Sequence, residues 1–305
     1  MFARQKELGV VSPDAELSRH DPDVPDWESL SPQARRLAAR MMEVFAGFLS
    51  HTDRHIGRVL DFLGEIGEFD NMLIMVVSDN GASVEGGDTG TTNELQFFNY
   101  APEPLEDSLA AIDELGGPTT FNHYPRGWTW PGTPLSAGGS GKLPRRRQRP
   151  VPGALADGIQ ARGQVRTQYA HLIDMVPTVL DALGLEAPAT IRGIAQSPIH
   201  GVSFAYTFDD PAASTRHRTQ YFEMFGHRAI DHDGWRAVCP WPGPSFAEAG
   251  RPFGTPITAG DLTDLDAHHW ELYHVAADVA ENHDLAAEHR DKLIEMIAMW
   301  YVEAG

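Results

Sequence analysis

Met72-Leu73-Ile74-Met75-Val76-Val77-Ser78-Asp79-Asn80-Gly81 is an apolar run that stops abruptly in polar and turn-forming residues. The run is too short to span a bilayer, and its length and β-branching are those of a strand buried on both faces. A covered parallel strand delivers the residues after it to the carboxyl edge of a sheet, where open α/β proteins bind ligands. Here those residues are a carboxylate, a carboxamide and a glycine. Adjacent hard oxygen donors suit Ca²⁺ or Mg²⁺ better than a soft metal, and Gly81 lets the backbone turn beside them. The plainer reading is an Asp-Asn-Gly turn with no ligand.

Before this stretch, Ser31-Pro32 starts a helix: an N-cap, then proline at the first helical position. Apolar residues recur at helical spacing from Leu37 through Met41, Val44, Phe45, Phe48, Ile56, Val59 and Leu60 to Leu63, with Gly64 to Gly67 as the stop. Residues 1–30 read as loop. His51, Asp53 and His55 have a spacing that suits a metal, although an exposed polar face explains them as well. Helix, loop and strand together form half of a β-α-β unit.

After the stretch, residues 84–135 have little periodicity, and so long an irregular segment is functional or mobile. Asn93 opens a short turn or helix. His123, Arg126 and Trp128 offer a cation and a ring to an anion carried on an aromatic group; alternatively Tyr124 and Trp128 anchor a structural loop. Thr167 to Gly184 reads as a helix with Pro177 inside it, on which His171 and Asp174 face each other. Residues 185–200 read as a linker. Candidate strands lie at Thr219 to Met224, Arg228 to Ile230, Trp235 to Val238 and Trp270 to Tyr273, with Asp233-Gly234 as a hairpin turn. A last helix from about Glu288 to Val302 buries Leu293, Ile294, Ile297 and Trp300. Asp231-His232-Asp233 resembles a metal triplet but sits at the hairpin tip, and Cys239 reads as a half-buried structural thiol.

The 305 residues are 42% hydrophobic, enough for a packed core, and carry a formal net charge of -19. That charge argues against nucleic acid or an anionic membrane as partner, yet not against an anionic substrate, because a bound cation dominates locally. One cysteine means no internal disulfide, which fits the cytoplasm without excluding the periplasm. Met1 to Lys6 lack the apolar stretch of a signal peptide, and no run reads as a membrane span.

Val77-Ser78-Asp79-Asn80-Gly81-Ala82-Ser83 with Glu85-Gly86-Gly87 resembles the type I sulfatases of the alkaline phosphatase superfamily, bacterial arylsulfatases in particular. Arg4 to Gly9, His123 to Trp128, His171 to Thr178 and Glu281 to Leu285 agree with that family in order. The resemblance implies an α/β fold: a mainly parallel sheet flanked by helices, with a small C-terminal antiparallel sheet plus a helix. It implies a sulfuric ester hydrolase in which Asp79 and Asn80 are metal ligands completing a Ca²⁺ site, and in which His123 and Arg126 bind the sulfate ester. The family's nucleophile is a formylglycine made within Cys/Ser-x-Pro/Ala-x-Arg, a motif found nowhere in these residues. No catalytic residue is therefore assigned, and the chain looks like the C-terminal part of a sulfatase, inactive alone, whose remaining calcium ligands come from a missing N-terminal half. Residues 1–200 would be the catalytic portion and 201–305 a small α+β subdomain.

Residues 135–156 do not fit. Gly138-Gly139-Ser140-Gly141-Lys142 followed by Arg145-Arg146-Arg147 is Gly/Ser-rich and then basic within an acidic chain. A linker, a phosphate loop and a nucleic-acid patch are the ordinary readings. Back-translated codons for Leu143 to Ala156, read one nucleotide later, permit Tyr-Arg-Gly-Gly-Ala-Ser-Val-Pro-Cys-Leu-Val-His-Trp-Pro, which resembles the family's missing strand. The expectation is a frameshifted patch, unable to pair as a central strand, in which Lys142 is not the family's lysine. Other readings of the whole chain are a phosphodiesterase or phosphomutase of the same superfamily, a non-enzymatic binding fragment, and half of a split enzyme.

Overall fold

A computed structural model describes residues 2–18, 20, 24–77, 82, 85–99, 101, 103–129, 153–155, 163–224, 226–241, 256 and 258–305. The fold is of the α/β class. Its first long element is α2 (Pro32–Glu65), after a short α1 (Phe2–Glu7) that replaces part of the expected N-terminal loop. Ser31 Oγ accepts from the Ala34 backbone N–H at 3.1 Å and Pro32 stands at the first position, so the helix begins where its cap chemistry requires. It ends at Gly67, whose φ of 76° continues the chain in the left-handed region.

The N-terminal half of α2 buries Leu37 and Met41 against Ile112, Leu115 and Tyr124. These come from the loop after α4 (Leu105–Ala110); α3 (Glu94–Phe98) precedes them. Met41 is fully buried, so Met41→Ala is expected to cost about 2–5 kcal/mol in a urea titration. A loss below about 1 kcal/mol would mean that this half of α2 is not packed as described.

The strand β1 (Ile74–Val76) forms where the apolar run required it. It is not covered on both faces: Ile74 and Met75 are half-buried and Val76 is exposed. Its partner is β2 (Gly153–Leu155), antiparallel, with Ile74 opposite Leu155 and Val76 opposite Gly153. No ladder among the described residues is parallel; a parallel neighbour for β1 needs a crossover to another strand of the same sheet, and only β2 is present there. β2 takes three residues of the 135–156 patch, paired among the described residues with β1 alone and so not as a central strand. The rest of the patch, Lys142 included, lies outside the described residues.

The helix expected from Thr167 starts later, as a tight turn at Leu172–Asp174 leading into α5 (Met175–Ala182). Pro177 then falls in the first turn of α5, where its missing N–H has no partner to lose. The expected linker holds a hairpin, β3 (Thr190–Ile191) and β4 (Ile194–Ala195), turned by Arg192 and Gly193 at φ 51° and 82°.

The C-terminal part is an antiparallel sheet in the order β5 (Thr219–Met224), β6 (His227–His232), β7 (Trp235–Cys239), β8 (Glu271–Tyr273). The Asp233-Gly234 turn is where expected. The cross-strand row Tyr221, Ile230, Ala237, Leu272 packs under α7 (Arg290–Ala304) through Leu293, Met296 and Trp300. Ile294, expected in this core, is exposed. Leu265 of α6 (Ala259–His268) and Cys239, wholly buried rather than half-buried, complete it. The next row, Gln220, Asp231, Arg236, Tyr273, points to the opposite face, because side chains alternate along a strand. No helix among the described residues is long and apolar enough to cross a membrane.

Candidate functional site

Asp79 and Asn80 lie outside the described residues. Their approach is described: β1 ends at Val76, and Val77 is the last residue before Ser78. The chain resumes fully at Glu85-Gly86-Gly87, which lies directly on the other predicted segment. The Arg126 backbone N–H donates to the Gly87 carbonyl at 2.7 Å, and Arg126 Nε pairs with Asp88 Oδ1 at 2.6 Å. A Cβ on Gly86 would collide with the Tyr124 carbonyl oxygen and crowd His123 Nδ1, so only glycine permits this approach.

His123 and Arg126 are thus brought beside the segment that comes after the Asp-Asn pair. His123 is held by mutual backbone hydrogen bonds with Thr91, and its ring lies 4.6 Å from that of Tyr124. Arg126 is largely buried and its charge is already met by Asp88. Trp128 is an anchor: Nε1–H donates to the Ala38 carbonyl at 3.0 Å and the ring meets Trp27 edge-on at 5.6 Å. The loop is further tied by Glu103, whose carboxylate accepts from Thr91 Oγ1–H, the Thr92 N–H and Ser108 Oγ–H. Burial raises its pKa, but these hydrogen bonds win and the carboxyl lies below its ordinary value.

His51 and His55 stack at 4.3 Å on the exposed side of α2, with His55 Nδ1 against Arg58, so the polar-face reading holds for them. The triplet at 231–233 does not converge as a whole: Asp231 turns to Arg236, whereas His232 Nε2 lies 3.4 Å from Asp233 Oδ2, with His232 Nδ1 against Thr219 Oγ1 and Asp233 paired with Arg218. Among the described residues no group of three or more His, Cys, Asp or Glu is placed to hold a metal.

The strongest electrostatic feature has no signature in the spacing of the residues that make it. Asp174, with no exposed surface, accepts from the backbone N–H groups of His171 (2.8 Å) and Val202 (2.7 Å), and from His217 Nδ1–H (2.8 Å). His217 Nε2 meets the Thr219 carbonyl at 3.0 Å. Both ring nitrogens face acceptors, so the imidazolium is the form that satisfies both. Burial lowers the His217 pKa, but Asp174 outweighs burial and raises it. His171, half-buried beside that cation, is pushed down, mainly by burial. Its role is a helix cap: His171 Nδ1 accepts from the Ile173 N–H while Asp174 takes the His171 N–H. Close by, on the polar face of the sheet, Arg236 is buried between Asp231 (3.6 Å) and Glu281 (3.7 Å) and stacks over Phe222. Burial opposes its charge, yet the two carboxylates hold its pKa above the ordinary value. Tyr169 reaches the same cluster, and its phenol is pushed up by burial and by Asp231. Asp174, His217, Arg236 and Glu281 are buried, and with the partly buried Tyr169, His171 and Asp231 they hold the 169–178 segment to the C-terminal sheet, across the division expected near residue 200.

A family model described as Sulfatase matches residues 13–185, more than half of the chain. This chain belongs to the sulfatase family. It is 26% identical over 327 positions to an uncharacterized sulfatase of Schizosaccharomyces pombe, covering 98% of this chain and 50% of that protein. It is 24% identical over 213 positions to an arylsulfatase of Klebsiella aerogenes, covering 67% of this chain and 42% of that one. A solved Bacteroides thetaiotaomicron structure, reported under the metabolism of multiple glycosaminoglycans, aligns at 16% identity and a TM-score of 0.49, over 82% of this sulfatase and 42% of that chain. The sulfatase chain spans half or less of the length of these two curated relatives.

Proposed function

We propose that this sulfatase chain is the part of an arylsulfatase-type sulfuric ester hydrolase that carries Asp79 and Asn80 to a calcium site. The observation that carries the reading is β1, which ends at Val76 shortly ahead of Ser78-Asp79-Asn80-Gly81 in a chain matched by the sulfatase model. One carboxylate and one amide oxygen fit a hard divalent cation. Ca²⁺ takes about six to eight oxygens, so this pair is part of a cage, and further ligands come from the rest of a sulfatase domain. When bound, the cation polarises sulfate oxygens and offsets developing charge.

This chain's own residues do the positioning. β1 precedes the pair in the chain, Gly86 lets its loop lie on Tyr124, and the Asp88–Arg126 contact fixes the segment bearing His123. His123 and Arg126 contact the sulfate ester, a small-molecule substrate. Residues 1–200 form the catalytic portion and 201–305 the smaller subdomain.

Calcium titration of the full chain tests the proposal. Expected is weak binding, at around the 10⁻⁴–10⁻³ M of loose sites, lost in Asp79→Ala and in Asn80→Ala, with no turnover of a chromogenic aryl sulfate by the chain alone. Calcium binding unchanged by both substitutions would overturn it.

A further inference from the structure

Glu103 stands at the centre of the hydrogen bonds that fix the segment of His123. Its Oε2 accepts from Thr91 Oγ1–H at 2.7 Å and from the Thr92 N–H at 3.0 Å, and its Oε1 accepts from Ser108 Oγ–H at 2.7 Å. Thr91 and Ser108 are buried. The same two threonines hold the segment. The Thr91 N–H donates to the His123 carbonyl at 3.0 Å, the His123 N–H donates to the Thr91 carbonyl at 2.9 Å, and the Phe121 N–H donates to the Thr92 carbonyl at 2.9 Å. Ser108 belongs to α4, and the loop after α4 packs on Leu37 and Met41 of α2. One carboxylate therefore couples the backbone of His123 to that core. Both its oxygens only accept, as these donors require; a glutamine amide would turn an NH2 group toward some of them. Burial alone pushes the Glu103 pKa up, but the hydrogen bonds from Ser108, Thr91 and Thr92 outweigh it, so the anion is the form present near neutral pH.

We infer that Glu103 is a positioning residue: acting through Thr91 and Thr92, its carboxylate sets where His123 stands and so sets the sulfate contact made by that side chain. What His123 touches rests on the proposed function; how His123 is placed rests on these hydrogen bonds. The segment around His123 has little regular secondary structure of its own, so its few backbone bonds need an outer anchor. A binding side chain must be held to within about 0.5 Å, and hydrogen bonds behind it do this. Tyr124, edge-on to Phe45 at 4.9 Å, anchors the chain just after His123. Glu103 anchors the segment paired beside it.

The test uses the full 305-residue chain and the imidazole signal of His123 in NMR, identified by its loss in His123→Gln. Glu103→Gln is expected to displace that signal, and Thr91→Val to displace it in the same direction. Thr91→Ser keeps the hydroxyl and should leave it at the wild-type position, as should Glu106→Gln, at an exposed carboxylate of α4. Urea titration shows which variants fold; the comparison of Thr91→Val with Thr91→Ser carries the test if Glu103→Gln does not. Inorganic sulfate is then titrated against chloride at equal ionic strength. Its affinity should fall by about tenfold or more in Glu103→Gln, the order of loss when an outer partner of a metal-binding residue is removed, and as much in His123→Gln. A folded Glu103→Gln or Thr91→Val that is merely less stable, with the His123 signal unmoved, would overturn the inference. So would full sulfate affinity in Glu103→Gln alongside its loss in His123→Gln. Sulfate that does not bind, or binds His123→Gln as well as wild type, refutes the substrate contact alone, and the His123 signal still decides the placing.

Discussion

Asp174→Ala is expected to lower the stability of the chain by about 3–5 kcal/mol, the usual result of removing one partner of a buried ion pair. The substitution strands the His217 cation and leaves the His171 and Val202 N–H groups without their acceptor. Asp174→Asn should cost less, because an amide oxygen still accepts two of these bonds. The effect carries a pH signature. The folded-state pKa of His217 lies above its unfolded value, which is about 6.5. Its contribution is therefore complete below that pH and lost as the pH rises through the raised folded value. Urea titrations across about pH 5.5 to 9 should show a difference between wild type and Asp174→Ala that shrinks with rising pH. A pH-independent difference would mean that His217 is neutral in the fold.

Arg236→Met should have an effect of the same order, about 3–5 kcal/mol, for the converse reason. The guanidinium and the Glu281 carboxylate are buried, and the Asp231 carboxylate on its other side is largely so. Methionine fills the space over Phe222 but leaves two poorly solvated negative charges without their cation. The diagnosis is rescue: adding Asp231→Asn and Glu281→Gln to Arg236→Met should restore much of the loss, since an apolar-plus-neutral replacement of a buried ion cluster is often tolerated. Thermal unfolding of the single and triple variants measures this. A single variant within about 1 kcal/mol of wild type, or a triple variant less stable than the single, would show that charge is not what the cluster contributes.

Some of this is legible in the residues alone. Ser31-Pro32 and Gly67 bracket α2, Asp233-Gly234 turns the β6–β7 hairpin, and the 72–77 run supplies β1. Each of these signals is local: a cap, a left-handed φ, a β-branched run. The start of α5 differs from the expected one because the apolar spacing from Leu172 continues through Pro177, while the actual start is set by the His171–Asp174 cap. The β3–β4 hairpin escapes a reading of the sequence because its turn is Arg192-Gly193 rather than the usual Asn-Gly.

Local chemistry was enough to set the strand that ends before Asp79 and Asn80, the long helix ahead of it and the order of the C-terminal strands, because caps, turns and alternation act over a few residues. Packing in three dimensions had to establish that Asp174 and His217, 43 positions apart, share a buried charge, that Arg236 lies between Asp231 and Glu281, and that the apolar face of α2 is covered along half its length. Pairing across the fold depends on which surfaces meet, and no spacing along the chain encodes that.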